Sequence, residues 1–147
     1  VLEDHELLFR GNTAGNGLET IARKAGGKVH GVLWRITQEC ENSLDTYERY
    51  PNLYNKQQIM VRDLNGQEFS VMAYVMAEDR FPQLARPSSY NYKVIFEGYQ
   101  QNGLPVAALK RALRHCVQEA RRQAAIQQVE NLGIQTTKPK GTKGHER

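Results

Sequence analysis

The pair Asn65-Gly66 constrains this chain more than any other two neighbours. It separates residues 58–64 from residues 67–76, two runs rich in β-branched, aromatic and long apolar side chains. Asn-Gly between such runs is the preferred pair for a two-residue type I′ turn, because both residues tolerate positive φ. The spacing therefore predicts an antiparallel hairpin. Its second arm contains FSVMAYVM, apolar at consecutive positions, and is expected to be a central strand covered on both faces. Tyr74 then needs a polar partner for its hydroxyl. Met60, Met72 and Met76 read as core filler.

Elements before the hairpin are shorter. Leu7–Phe9 is a compact apolar run suited to a buried strand. Residues 11–17 (GNTAGNG) form a loop by composition, without the Lys-Ser/Thr ending of a phosphate-binding P-loop. Residues 18–22 read as a strand and 23–28 as a basic turn around Gly26-Gly27. Residues 29–36 alternate Val32, Trp34 and Ile36 on one face with Leu33 on the other, so a strand with Trp34 in the core is expected.

Helical periodicity dominates the second half. Ser88 or Ser89 can cap a helix in which Tyr92, Ile95, Phe96 and Tyr99 recur at i, i+3, i+4 and i+7. Leu104-Pro105 opens a last helix striped by Val106, Leu109, Leu113, Cys116 or Val117, Ala120 and Ala124. Its arginines and lysines fall mostly on the other faces and read as a solvated surface; contact with nucleic acid is the alternative. Residues 134–147 show no periodicity. The chain divides into one domain over 1–130 and a basic disordered tail over 131–147.

Charge follows that division. Of the net +4, the tail carries +3, so the basic balance does not mark a nucleic-acid-binding face. No apolar run approaches a membrane span. Cys40 and Cys116 lie far apart on helix-like faces and are expected as buried free thiols in a reducing cytoplasm. The four histidines show no metal-ligand spacing, and no nucleophile or dinucleotide signature is present. The expected chemistry is carboxylate acid/base chemistry, with neither metal nor cofactor.

One carboxylate is placed for it. Thr37 is an N-cap candidate, Glu39 suits a first turn, and Cys40, Leu44 and Tyr47 share a helix face. Glu48 follows Leu44 by four residues, at the edge of that face, where Pro51 ends the pattern. Partial desolvation and the like charge of Asp45 would both raise its pKa toward that of a general base. A solvated helix-end carboxylate is the plainer reading of the same spacing.

The segment LDTYERYPNLY resembles the L-D-x-Y-E-G-Y-P segment of the gamma-glutamylcyclotransferase-like (AIG2-like) family. HGVLWRI before it is similar to that family's G-V-L-W/Y strand, and RPSSYNYKVIFEGYQQNGLP after it to its P-S-x-x-Y helix and G-L-P turn. The likeness spans roughly residues 7–113. It implies an α+β fold, with a small, largely antiparallel, barrel-like mixed sheet flanked by helices and a pocket at one mouth.

The resemblance also implies an activity. Glu48 is the acid/base in cyclising a small-molecule gamma-glutamyl amide or peptide to 5-oxoproline and a free amine. Tyr92 or Tyr90 directs a hydroxyl into the pocket, and Trp34 is a further pocket-lining candidate. The alternative is a non-catalytic member of the same fold that binds a small molecule or a protein.

Two departures accompany the likeness. The family's opening strand ends in Y-G-S-N or Y-G-T-L and holds substrate through backbone amides. No such motif occurs here, which implies that the first strand, its loop and the following helix are missing from this chain. The sheet edge so exposed is one that a second copy can pair with, giving a homodimer. The other departure is Arg49, where the family usually has glycine.

Overall fold

The computed structural model describes the backbone of residues 1–144 and the side chains of residues 1–133. Its order is β1 (Leu2–Arg10), β2 (Leu18–Val29), α1 (Gln38–Tyr47), β3 (Tyr54–Arg62), β4 (Glu68–Met76), α2 (Ser89–Gln101) and α3 (Val106–Gly144). The class is α+β with antiparallel pairing, as the sequence implies. The strands divide into two two-stranded sheets, β1–β2 and β3–β4.

The sheets meet at their ends. The Val1 ammonium donates to the Arg62 carbonyl (2.7 Å) and the Arg62 amide donates back to the Val1 carbonyl (2.9 Å). At the opposite end, the Met76 amide donates to Oγ1 of buried Thr20 (3.0 Å). Between these joints lies an open cavity.

β1 buries Leu8 and Phe9 as the apolar run predicts. Phe9, Tyr99, Leu109 and Cys116 form the main core, with Leu7, Tyr92, Ile95, Phe96 and Leu113 packed around it. The α2 stripe, and the α3 stripe from Val106 to Cys116, therefore bury where the periodicity puts them, while Ala124 is exposed. α2 is capped by Ser88, whose Oγ accepts from the Asn91 amide (3.0 Å). A smaller core of Leu53, Tyr54 and Met76 gathers Leu18, Tyr74 and Phe81. Gly17 lets the 11–17 loop press against the chain before α2: a Cβ there would lie 2.0 Å from the Ala85 carbonyl oxygen.

Several expectations are corrected. β2 does not turn at Gly26-Gly27 but continues to Val29 through a wide bulge opposite Asp4, whose carboxylate accepts from the Gly26 amide (3.0 Å). The hairpin loop is a type I turn with a G1 bulge, because Asp63 Oδ1 accepts from the amides of Asn65 and Gln67 (2.9 Å each), and only Gly66 takes positive φ (81°). β4 is not covered on both faces. It pairs with β3 alone, and only Val75 and Met76 are buried along it; Met60 on β3 is 54% exposed.

Residues 30–37 form no strand. They pair with no strand among the described residues, and Trp34 is 76% exposed rather than in a core. Cys40 is exposed, while Cys116 is buried as expected. The backbone continues as helix to Gly144, where a disordered tail was expected from 131; the side chains beyond 133 lie outside the described residues. Among the described residues, no helix is long and apolar enough to cross a membrane.

Candidate active site

α1 begins as its sequence dictates. Thr37 Oγ1 accepts from the Cys40 amide (3.2 Å), and Glu39 and Glu41 occupy the first turn. At its other end, Glu48 is the C-cap and its amide still donates to the Leu44 carbonyl (2.8 Å). Arg49 then takes φ 51°, which reverses the chain and lets the Tyr50 amide reach the Asp45 carbonyl (2.9 Å). Glycine takes this conformation at less cost, which accounts for the family's preference there.

The apolar face of α1 is thinly covered. None of its residues is buried, and Tyr47 is 81% exposed. A polar network holds the helix instead. Lys56 on β3 reaches Glu41 Oε2 and Asp45 Oδ1 (2.9 Å each) and lies over the Tyr50 ring, 4.4 Å from its centroid. The Tyr74 hydroxyl donates to Asp45 Oδ1. The hydrogen bond from Tyr74, and then that from Lys56, hold the Asp45 carboxyl below its ordinary range.

Asp45 is therefore occupied and is not the group that perturbs Glu48. Burial pushes the Glu48 carboxyl up first, and the charge of Glu19 adds to it. Glu19 lies on β2, opposite Phe9. Its Oε2 accepts from Asn91 Nδ2 (3.0 Å) at the start of α2, and its carbonyl accepts from the Tyr54 hydroxyl (2.7 Å). Burial and the neighbouring charges of Glu19 and Glu48 push the Tyr54 hydroxyl up as well. Three elements thus bring Glu19, Glu48 and Tyr54 together.

These three residues, with Tyr74, line the cavity between the sheets, whose volume is about 880 Å³. Its other walls are largely apolar, including Ile21 of β2, Ile59 of β3 and Val71 of β4, and the Gly103–Leu104–Pro105 turn closes one side. Glu48 lies on the cavity wall and is partly desolvated. The tyrosines differ. Tyr90 is 79% exposed, Tyr92 packs against the main core and against Phe96, and neither lines the cavity. Trp34 does not line it either. Tyr54 and Tyr74 do, and the strand pattern of the hairpin is the signal that could have marked them. Glu19 carries no local signal. Among the described residues, no group of three His, Cys, Asp or Glu is placed to hold a metal ion.

With this geometry in hand, likeness to known proteins becomes informative. The profile of the family described as gamma-glutamyl cyclotransferase, AIG2-like, matches residues 1–94. The chain belongs to that family. It is 32% identical over 113 residues to the gamma-glutamylcyclotransferase of Homo sapiens, covering 71% of this chain and 58% of that protein. The Mus musculus gamma-glutamylcyclotransferase is 34% identical over 112 residues, covering 71% and 57%. A solved structure of a gamma-glutamyl cyclotransferase superposes with TM-score 0.65 at 29% identity, covering 76% of this chain and 68% of that one. The chain thus spans under two thirds of the length of these curated relatives. Within the family's pattern, Glu48 falls at the glutamate of the L-D-x-Y-E-G-Y-P segment, at the end of a capped helix.

Proposed function

We propose that the chain carries out intramolecular aminolysis of a gamma-glutamyl amide or peptide, with Glu48 as general acid/base. The observation that carries this reading is a partly buried glutamate on the wall of an open cavity, with its pKa raised by burial and by Glu19. Among the described residues it has no cationic partner. A raised pKa makes a carboxylate a stronger base and a usable acid within one catalytic cycle.

The steps balance without a further reactant. Glu48 takes a proton from the substrate's α-ammonium. The freed amine nitrogen attacks the γ-carbonyl carbon and the N–C bond of the ring forms. Glu48 gives its proton to the leaving nitrogen, the bond from the carbon to that nitrogen breaks, and Glu48 passes the surplus proton of the ring nitrogen to the departing amine, which leaves as an ammonium. The products are 5-oxoproline and a free amine. Ring closure is intramolecular, so fixing the geometry supplies much of the acceleration.

The test is release of 5-oxoproline from a panel of gamma-glutamyl amines and dipeptides. It uses this chain, and the same chain extended upstream by an opening strand ending in Y-G-S-N. Glu48→Gln is expected to lower the rate at least about 100-fold, the scale of a lost general acid/base, while folding persists. Because the Glu48 pKa is raised, kcat/KM should fall as pH drops through a value above its ordinary 4.5. Full activity in Glu48→Gln would remove Glu48 from the chemistry.

A second reading, a binding module that does not turn substrate over, fits the largely apolar walls of the cavity. It predicts saturable binding without 5-oxoproline in either version. One buried and one exposed free thiol fit a reducing, cytoplasmic setting for both readings.

A further inference from the structure

Glu19 is the group in this cavity that the acid/base chemistry leaves without a task. Neither Glu19 nor Glu48 has a cationic partner among the described residues, whereas Arg62, Val1 and Asp63 in the same lining are engaged, and burial first, then nearby positive charges, hold the His30 imidazole below its ordinary range. Arg62 pairs with Glu3 and Glu68, and the Val1 ammonium donates to the Arg62 carbonyl. Asp63 is taken up by the amides of its own turn. Glu19 is held on two sides: Asn91 grips one carboxylate oxygen and Tyr54 grips the backbone carbonyl of the same residue. Its second oxygen, Oε1, meets no donor among the described residues. A half-buried carboxylate fixed in this way, with one oxygen spare, is prepared for a cation that arrives from the cavity.

We propose that Glu19 is a specificity-determining residue that receives the α-ammonium of the incoming gamma-glutamyl compound, so that this group is held between Glu19 and Glu48 before Glu48 takes its proton. The proposal rests on the gamma-glutamyl reading of the cavity and adds to it the way a substrate is told from its analogue. Compounds with a free α-amine are bound; compounds of the same shape without one are not. Glu19 moves no proton. Its charge holds the ammonium in place and adds to the basicity of Glu48.

Calorimetric titration of gamma-L-glutamyl-L-alanine and of N-glutaryl-L-alanine, which lacks only the α-amine, tests this. Both are titrated into the Glu48→Gln chain and into Glu48→Gln with Glu19→Gln, at neutral pH. Glu19→Gln is close to isosteric and its amide oxygen can still accept from Asn91; matching urea midpoints check the fold. With Glu19 present, the amino compound is expected to bind about tenfold or more tightly than the glutaryl compound, the scale of one charge-assisted hydrogen bond. That preference should shrink with added salt and disappear in the double variant, with glutaryl binding little changed. Equal preference in both chains overturns the role of Glu19 and leaves the gamma-glutamyl reading standing. Binding of neither compound to either chain overturns that reading, and this proposal with it.

Discussion

The two ends of the molecule solve the same problem in opposite ways. Where β1 meets α2 and α3, apolar side chains find apolar cover, and Phe9, Leu109 and Cys116 lose all contact with solvent. Even the Cys116 thiol settles there, donating to the Phe9 carbonyl (3.4 Å), and burial pushes its pKa up. Around α1 and the β3–β4 hairpin, the apolar side chains are left open: Trp34, Tyr47 and Met60 face solvent, and Val32 and Leu33 line the open cavity. There the elements are tied by Lys56, Asp45, Glu41 and Tyr74. The helical end is held by area removed from water, the hairpin end by a few directional polar contacts. Glu48 lies on the second kind of support, and Glu19 faces the same cavity from β2, held by Asn91 of α2.

Removing side-chain volume should act very differently at the two ends. Leu109→Ala should cost about 2–5 kcal/mol, the range for a fully buried leucine. Met60→Ala should stay within about 0.5 kcal/mol, as exposed substitutions do. Urea unfolding of the two variants checks this. A loss at Met60 comparable to that at Leu109 would mean that the hairpin face is covered in solution and that the contrast is mistaken.

Much of the helical end was legible in the sequence, because its signals are local. Ser88 caps α2, and the stripe from Tyr92 to Tyr99 buries the face that its period implies; at the other end, Thr37 caps α1 by the same local signal. The place of Glu48 at the end of α1 was legible for the same reason, through the cap and the proline that bound that helix. What was not legible depends on distant partners. Residues 30–36 have strand composition, but a strand needs another chain's worth of backbone beside it, and none pairs with them among the described residues. The Asn65-Gly66 turn changed type because Asp63, just outside the pair, captures two amides. The like charge beside Glu48 comes from Glu19, not Asp45, and Glu19 is fixed by Asn91, 72 residues away. No periodicity could have joined those three.

The polar end can be sharpened by pH. The Tyr74 hydrogen bond and Lys56 depress the Asp45 pKa in the folded state below its ordinary 3.8. A depressed carboxylate pKa adds stability that is complete above the unfolded value and is lost as pH falls through the folded one. Tyr74→Phe should therefore lower the urea midpoint near neutral pH, by less than Leu109→Ala does, and the difference from the parent should close below pH 3.8. Glu48 has the opposite sign. Its raised pKa penalises the charged form, so Glu48→Gln should leave stability unchanged or slightly higher at neutral pH, with any gain gone below 4.5. A Tyr74→Phe deficit that persists unchanged at pH 2 would assign Tyr74 a packing role instead.

The smallest effect lies at the joint between the two kinds of support. Arg49 adopts φ 51° immediately after Glu48, and that reversal returns the Leu53 amide to the Arg49 carbonyl (2.9 Å), leading the chain into the small Leu53–Tyr54–Met76 core. A side chain in the left-handed region costs roughly 1 kcal/mol, from which the greater freedom of unfolded glycine subtracts a part. Arg49→Gly should therefore raise stability by up to about 1 kcal/mol, read as a higher urea midpoint with an unchanged slope. The Glu48 pKa should not move with it, because Arg49 is not among the groups that perturb Glu48. A stabilised Arg49→Gly chain with an unaltered acid limb would separate the backbone of the turn from the electrostatics of the site. A destabilised one would show that the guanidinium, and not the conformation, fixes the path of the chain from α1 into β3.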